Sequence, residues 1–175
     1  MIIKNLDELL FAVSYHDIDK FHMFMRDFKS RPETFNKLAD FLCGRIRLEK
    51  DFLSGFDFFV YVPSTDLSRT NYSLKLANYL SEKLNKPLKN DILKKIKITK
   101  ELKTLPREER HKEIEDSFTA SLSGGERVCI VDDVTASGAT LGEVSKALKE
   151  SGAAYISAVV VAIYNPHTLI TAINK

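Results

Sequence analysis

The sequence predicts an open, mostly parallel α/β sheet flanked by helices, and three stretches predict it. In the first, the apolar run Val128-Cys129-Ile130-Val131 ends in Asp132-Asp133, and the small or hydroxylated residues Thr135, Ala136, Ser137, Gly138, Ala139 and Thr140 follow. Leu141, Val144, Ala147 and Leu148 then recur at helical spacing until Ser151-Gly152 offers a stop. This is a buried strand, a tight loop and a helix N-terminus, the place where open α/β sheets form ligand crevices. In the second, the β-rich run Phe58 to Val62 stops at Pro63, and a polar loop (64–71) leads into a helix carrying Leu76, Ala77, Leu80 and Leu84. In the third, Tyr155 to Tyr164 is almost continuously apolar, as suits the interior of a parallel sheet.

A chain of 175 residues fits one α/β domain (1–175) with a sizeable core. A formal net charge of +2 gives no global nucleic-acid footprint. Two cysteines far apart, Cys43 and Cys129, build neither a disulfide framework nor a Cys-rich zinc site, and their apolar contexts suggest buried, reduced thiols. Charges at Lys4, Asp7 and Glu8 interrupt any signal-peptide core, and the run 152–164 is too short for a bilayer. The expectation is a cytoplasmic protein without a membrane partner.

Taken in order, Leu9 to Tyr15 is a short apolar run that periodicity leaves open between a strand and a helix end. From Asp17, Ile18, Phe21, Met25 and Phe28 share one helical face, with Phe24 adjacent, and read as core. Pro32 breaks the chain, and a second helix turns Phe35, Leu38, Ala39, Leu42 and Ile46 inward. The corner between them, Phe28-Lys29-Ser30-Arg31, reads as solvated. From 90 to 118 the character changes. Ile is mixed with Lys over 92–100, Thr104 suits an N-cap before Pro106, and residues 107–116 form an almost wholly charged helix with Glu108 and Lys112 in i,i+4 register. So little apolar face predicts shallow packing, either as a solvated helix or as part of a mobile lid (94–118) carrying cations. Ser121 to Glu126 turns the chain into the central strand.

The chemistry of the first stretch is specific. Free loop amides and the positive end of a helix suit a phosphate dianion, and small side chains permit its close approach. Paired carboxylates at a strand end can accept hydrogen bonds from vicinal sugar hydroxyls or face a metal. On these residues the segment resembles the phosphoribosyl-pyrophosphate (PRPP) motif of type I phosphoribosyltransferases, which places two acids and a Thr/Ser-Gly-x-Thr loop after an apolar strand. Ala136 departs from the Thr often found in that loop. The resemblance implies the type I phosphoribosyltransferase fold, with Asp132 and Asp133 at the ribose hydroxyls and Thr135 to Thr140 around the 5-phosphate. It also implies Mg2+ held by PRPP oxygens near the acids, with no direct protein cage. The polar loop after Phe58–Val62 is the candidate for the pyrophosphate, through Ser64, Thr65 and Arg69.

Further stretches resemble the ComF competence-protein group. They are Tyr15 followed by Phe28-Lys29, Tyr61-Val62-Pro63 with Arg69, and Lys94-Lys95, Thr99, Leu105, Arg107, Arg110 and Phe118 at matching spacing. Leu102 and Glu113 stand where that group usually has Gln and Asn, and its opening zinc-binding Cys cluster is missing. The similarity spans roughly residues 10 to 165.

Two functions follow. The first is a Mg2+-dependent phosphoribosyltransferase that transfers the phosphoribosyl group to a nitrogenous acceptor and releases pyrophosphate. Asp132, Asp133 and Arg107 are its catalytic residues, and Lys100, Lys103 or Arg107 close the lid. The second is a non-catalytic PRPP-binding module that engages DNA-uptake proteins. Single-stranded DNA binding through Lys94 to Lys103 ranks last, because that segment has no aromatic stacking platform. A homodimer is compatible with each.

Overall fold

The computed structural model describes residues 3, 5–14, 21–64, 68–100 and 102–163, and their side chains except those of Val13, Ser14, Phe21, Lys103, Arg107 and Glu108. The elements are β1 (Glu8–Ser14), α1 (Phe21–Ser30), α2 (Pro32–Leu48), α3 (Lys50–Ser54), β2 (Phe58–Tyr61), α4 (Tyr72–Leu84) and β3 (Leu93–Lys95). A 3-10 turn (Leu102–Thr104), α5 (Arg107–Ile114), β4 (Phe118–Ala120), β5 (Arg127–Thr135), α6 (Ala139–Glu150) and β6 (Tyr155–Ile163) follow. A four-stranded sheet runs in the order β1-β6-β5-β2 with every pairing parallel, and β3 pairs antiparallel with β4.

Both faces of the sheet are covered, which is why its central strands read as apolar without a break. Along β5, Val128 and Ile130 point to one side and Cys129 and Val131 to the other. The first pair joins Leu141, Val144 and Leu148 of α6, and the second joins Leu42 and Ile46 of α2 and Leu76 and Leu80 of α4. Period-2 alternation thus feeds two cores. Both cysteines are free and buried, as expected.

Within the described residues, the run from Leu9 to Ser14 belongs to the strand β1. Leu10 packs on the α2–α4 side while Leu9 and Phe11 lean on the α6 side, an alternation no helix face produces. Pro32 opens α2 at its first turn, where a missing N–H costs nothing. The proposed start of α1 at Asp17 lies outside the described residues, and the Glu108 side chain of the expected Glu108–Lys112 pair is not described. Thr104 does not cap α5: it ends the 3-10 turn, and Pro106 occupies the cap with no side-chain bond. The charged helix is shallowly packed, as its composition predicts, but it has an anchor. Ile114 is buried with Leu93 and Phe118 in the α6-side core, so the β3–β4 pair and α5 rest on α6. No helix among the described residues is long and apolar enough to cross a membrane.

Candidate functional site

The site begins where β2 stops. Tyr61 is the last β2 residue in register with β5, opposite Val131, and Val62 N–H donates to the Val131 carbonyl at 3.1 Å before Pro63 takes the chain away. β5 continues through Asp132 to Thr135, paired on its other side to β6. The two acids therefore stand where the sheet opens on one side only. The sequence places them at a strand end; instead the strand runs past them to Thr135, and Asp132 is only 7 % exposed.

A cleft of about 600 Å³ lies over this opening. The β2–α4 connection contributes Ser64, Arg69, Thr70 and Asn71, and α4 contributes Tyr72 and Ser73. The segment after β3 supplies Lys95, Ile98, Thr99, Lys100 and Leu102, with Ile114 and Phe118 beside them. Thr140 enters from α6 and Lys29 from α1. Asn71 fixes the first wall twice: its Oδ1 accepts from Leu74 N–H at 3.0 Å, capping α4, and its Nδ2 donates to the Val62 carbonyl at 3.1 Å.

The acid pair is asymmetric. Asp132 Oδ1 accepts from Ser73 Oγ at 2.8 Å and from Asp133 N–H at 2.9 Å. Burial, and then the neighbouring Asp133 charge, push the Asp132 carboxyl well above the usual carboxylate range, opposed by these donors and by Lys29. Asp133 Oδ1 accepts from Val134 N–H at 2.8 Å, and its Oδ2 forms an ion pair with the Lys29 ammonium. Ser73→Ala removes a donor that favours the charged form. The Asp132 carboxyl is then expected to titrate at still higher pH, read from the carboxyl carbon resonance across a pH series.

The turn between β5 and α6 is tight. Gly138 holds φ 76° at the N-cap of α6, a left-handed conformation that glycine adopts without strain. Ser137 Oγ accepts from Ala139 N–H at 3.3 Å. Thr135, Ser137, Gly138 and Ala139 are buried in this turn and Ala136 is half-buried. Thr140 alone of the six lines the cleft wall.

Of the residues expected in the site, the structure brings Asp132, Asp133, Ser64, Arg69, Thr140 and Lys100 onto one cleft. Thr65 lies outside the described residues. Arg107 opens α5, and neither its side chain nor that of Lys103 is described. Lys29, Ser30 and Arg31 are exposed, as the sequence suggests for this corner, but the Lys29 ammonium also reaches Asp133. The cause is packing on the preceding residue. Phe28 is 1 % exposed, with its ring 5.3 Å from Phe35 and 6.0 Å from Tyr72. Burying such a ring contributes about 2–3 kcal/mol, against roughly 0–1 kcal/mol for a partly exposed ion pair. Phe28 thus sets where α1 ends, and Lys29 is delivered to the cleft as a consequence. Ser73 and Lys95 were also missed as site residues. Lys95 is half-buried, donates to Thr99 Oγ1 at 2.8 Å, and has its pKa lowered chiefly by burial, with Glu113 opposing.

Residues 70–171 match the sequence profile of the phosphoribosyl transferase domain. Competence protein F of Haemophilus influenzae is 36% identical over 81 residues, which are 44% of this chain and 35% of that protein. The match thus spans about a third of that relative's length. Among solved structures, the purine phosphoribosyltransferase of Pyrococcus horikoshii aligns at 24% identity and TM-score 0.47 over 75% of this chain and 74% of that one. The adenine phosphoribosyltransferase of Leishmania tarentolae aligns at 14% identity and TM-score 0.48 over 83% and 79%.

Proposed function

The chain belongs to the phosphoribosyl transferase domain family, and we propose that its cleft binds PRPP and transfers the phosphoribosyl group to a nitrogenous acceptor. One observation carries this reading: the β2–α4 connection, the acid pair of β5 and Thr140 at the start of α6 line one cleft. The β2–α4 and β5–α6 loops each end at a helix N-terminus, where free amides and the dipole favour anions. The turn from Thr135 to Thr140 takes the 5-phosphate, Asp132 and Asp133 accept from the ribose hydroxyls, and Ser64, Thr65 and Arg69 hold the pyrophosphate.

The residues present fit a Mg2+ ion carried in on the ligand. Among the described residues no group of three or more His, Cys, Asp or Glu side chains could form a metal cage, while the cleft offers two carboxylates. Mg2+ commonly takes one or two carboxylates together with waters and substrate phosphates. When bound, it offsets negative charge on the pyrophosphate oxygens. The chain's own residues do the rest. In the transfer, the bond from ribose C1 to the pyrophosphate oxygen breaks and its electron pair leaves with pyrophosphate. The acceptor nitrogen forms the new bond to C1, and a proton it carries passes to solvent. Cations at Arg69, Lys100 and Arg107 stabilise the departing charge, and the 95–102 segment excludes water from the cationic ribose.

The first test is calorimetric titration of PRPP with and without Mg2+, using ribose 5-phosphate as the control. Saturable binding strengthened by Mg2+ is expected, and absence of binding by either ligand would sink the reading. A second reading, a PRPP-binding module without turnover, draws on the match to Competence protein F. Arg107→Ala separates the two. In an enzyme it lowers kcat about 10- to 100-fold with little change in PRPP affinity, whereas a binding module has no turnover to lose.

A further inference from the structure

We propose that Lys29 is an internal counter-ion for the acid pair, a specificity-determining residue that sets how strongly the cleft depends on a divalent cation. It comes from α1, outside the stretch matched by the family profile. Its ammonium pairs with Asp133 Oδ2, within the cleft it helps to line. Three further contacts hold it there. The Tyr72 hydroxyl donates to the Lys29 carbonyl, the ammonium stands 5.5 Å from the Tyr72 ring centroid, and Phe28 anchors the helix end in the core. Tyr72 is the first residue of α4, so the same side chain ties Lys29 to the wall carrying Ser73, the donor to Asp132.

Two adjacent carboxylates at a half-buried opening attract any cation of suitable size, and here the protein supplies one itself. A free divalent ion approaching Asp133 meets a like charge already in place, so the empty cleft discriminates against bare metal. A polyanionic ligand reverses the balance, because its phosphate oxygens offer the ammonium a stronger partner than a single carboxylate. Lys29 then leaves Asp133 for the ligand, and Asp133 becomes available to ribose hydroxyls or to a metal riding on the ligand. The cleft thereby favours metal and phosphosugar arriving together, and retains affinity for the metal-free phosphosugar. The second half of this proposal rests on the PRPP reading; the first half does not.

The test compares the full chain with Lys29→Met and Lys29→Arg. Met keeps the length and apolar stem without the charge, and thermal melts establish that each variant folds. In the first arm, Mn2+ is titrated into ligand-free protein and followed by electron paramagnetic resonance. Lys29→Met is expected to bind Mn2+ on the order of tenfold more tightly than the native chain, and Lys29→Arg close to the native value. Equal affinity in the native chain and Lys29→Met overturns the counter-ion role. In the second arm, PRPP is titrated with and without Mg2+. Lys29→Met is expected to lose metal-free affinity selectively, raising the ratio of Mg2+-supported to metal-free affinity by about tenfold. A parallel loss in both conditions marks Lys29 as merely structural and overturns the proposal. If the native chain binds no PRPP, the ligand half falls together with the proposed function, and the Mn2+ comparison still decides the counter-ion half.

Discussion

Asp132→Asn is expected to abolish PRPP binding, by at least about 100-fold, while leaving the thermal midpoint unchanged or higher. The two effects have one cause. Asp132 is buried beside a second carboxylate, and its pKa stands above the ordinary value for that reason. In the unfolded chain the group ionises near pH 4; in the folded chain it holds its proton to higher pH. Between those two values the folded state binds more protons, so stability falls as pH rises through the window. As pH rises through about 7, where the folded-state carboxyl titrates, its ionised form becomes a burden on the fold. Asn removes the charge, and its carbonyl oxygen can still accept from Ser73 Oγ and from the Asp133 amide. What is lost is the anionic acceptor for the ribose hydroxyls. A stability gain of about 1 kcal/mol would raise the midpoint by roughly 2–4 °C in a chain of this size. Calorimetric titration and thermal melting of the same preparation check both halves. Native-like affinity would remove Asp132 from the ribose site, and a large drop in midpoint would mean that its charge supports the fold. Asp133→Asn should behave differently, because it releases Lys29 from its ion pair and leaves a cation facing an uncharged amide.

The difference between the acids was not legible in the sequence, where they are adjacent and identical. Binary patterning reaches only as far as strand and face. It located β5, β2 and β6, because strands covered on both sides carry unbroken apolar runs, and it located the turn before α6 from its small residues. It could not say that β2 stops opposite Val131 while β5 runs on to Thr135. That offset buries Asp132 and opens the cleft. Nor could it place Lys29, whose role depends on where a distant aromatic ring docks; only the likeness of Phe28-Lys29 to a ComF segment hinted at a use. The β3–β4 pair escaped notice for another reason. Each strand is three residues long, and alternation over three positions carries almost no signal. The charged α5 is shallow, as its composition predicts, yet Ile114, buried in the α6-side core, ties it to α6.

Gly138→Val is expected to cost stability and phosphate binding together, and Gly138→Asn is expected to separate them. At φ 76° Gly138 turns the chain from β5 into α6, in a region where a β-branched side chain is strained by roughly 1–2 kcal/mol. For Val that strain predicts a midpoint lower by about 2–8 °C, at 2–4 °C per kcal/mol. Ribose 5-phosphate affinity should fall at least about tenfold, since a side chain at this position obstructs the approach of an anion to the turn amides. Asn tolerates the left-handed region far better than Val, because its short amide bonds locally. The Asn variant should therefore recover most of the midpoint. It still carries atoms beyond Cα where glycine has none, so ribose 5-phosphate binding should stay weak while the fold returns. The outcome that matters is the Asn variant's affinity for ribose 5-phosphate measured well below its melting temperature. Native-like binding would mean that the anion does not lie against this turn, and the 5-phosphate would have to be sought at the N-terminus of α4.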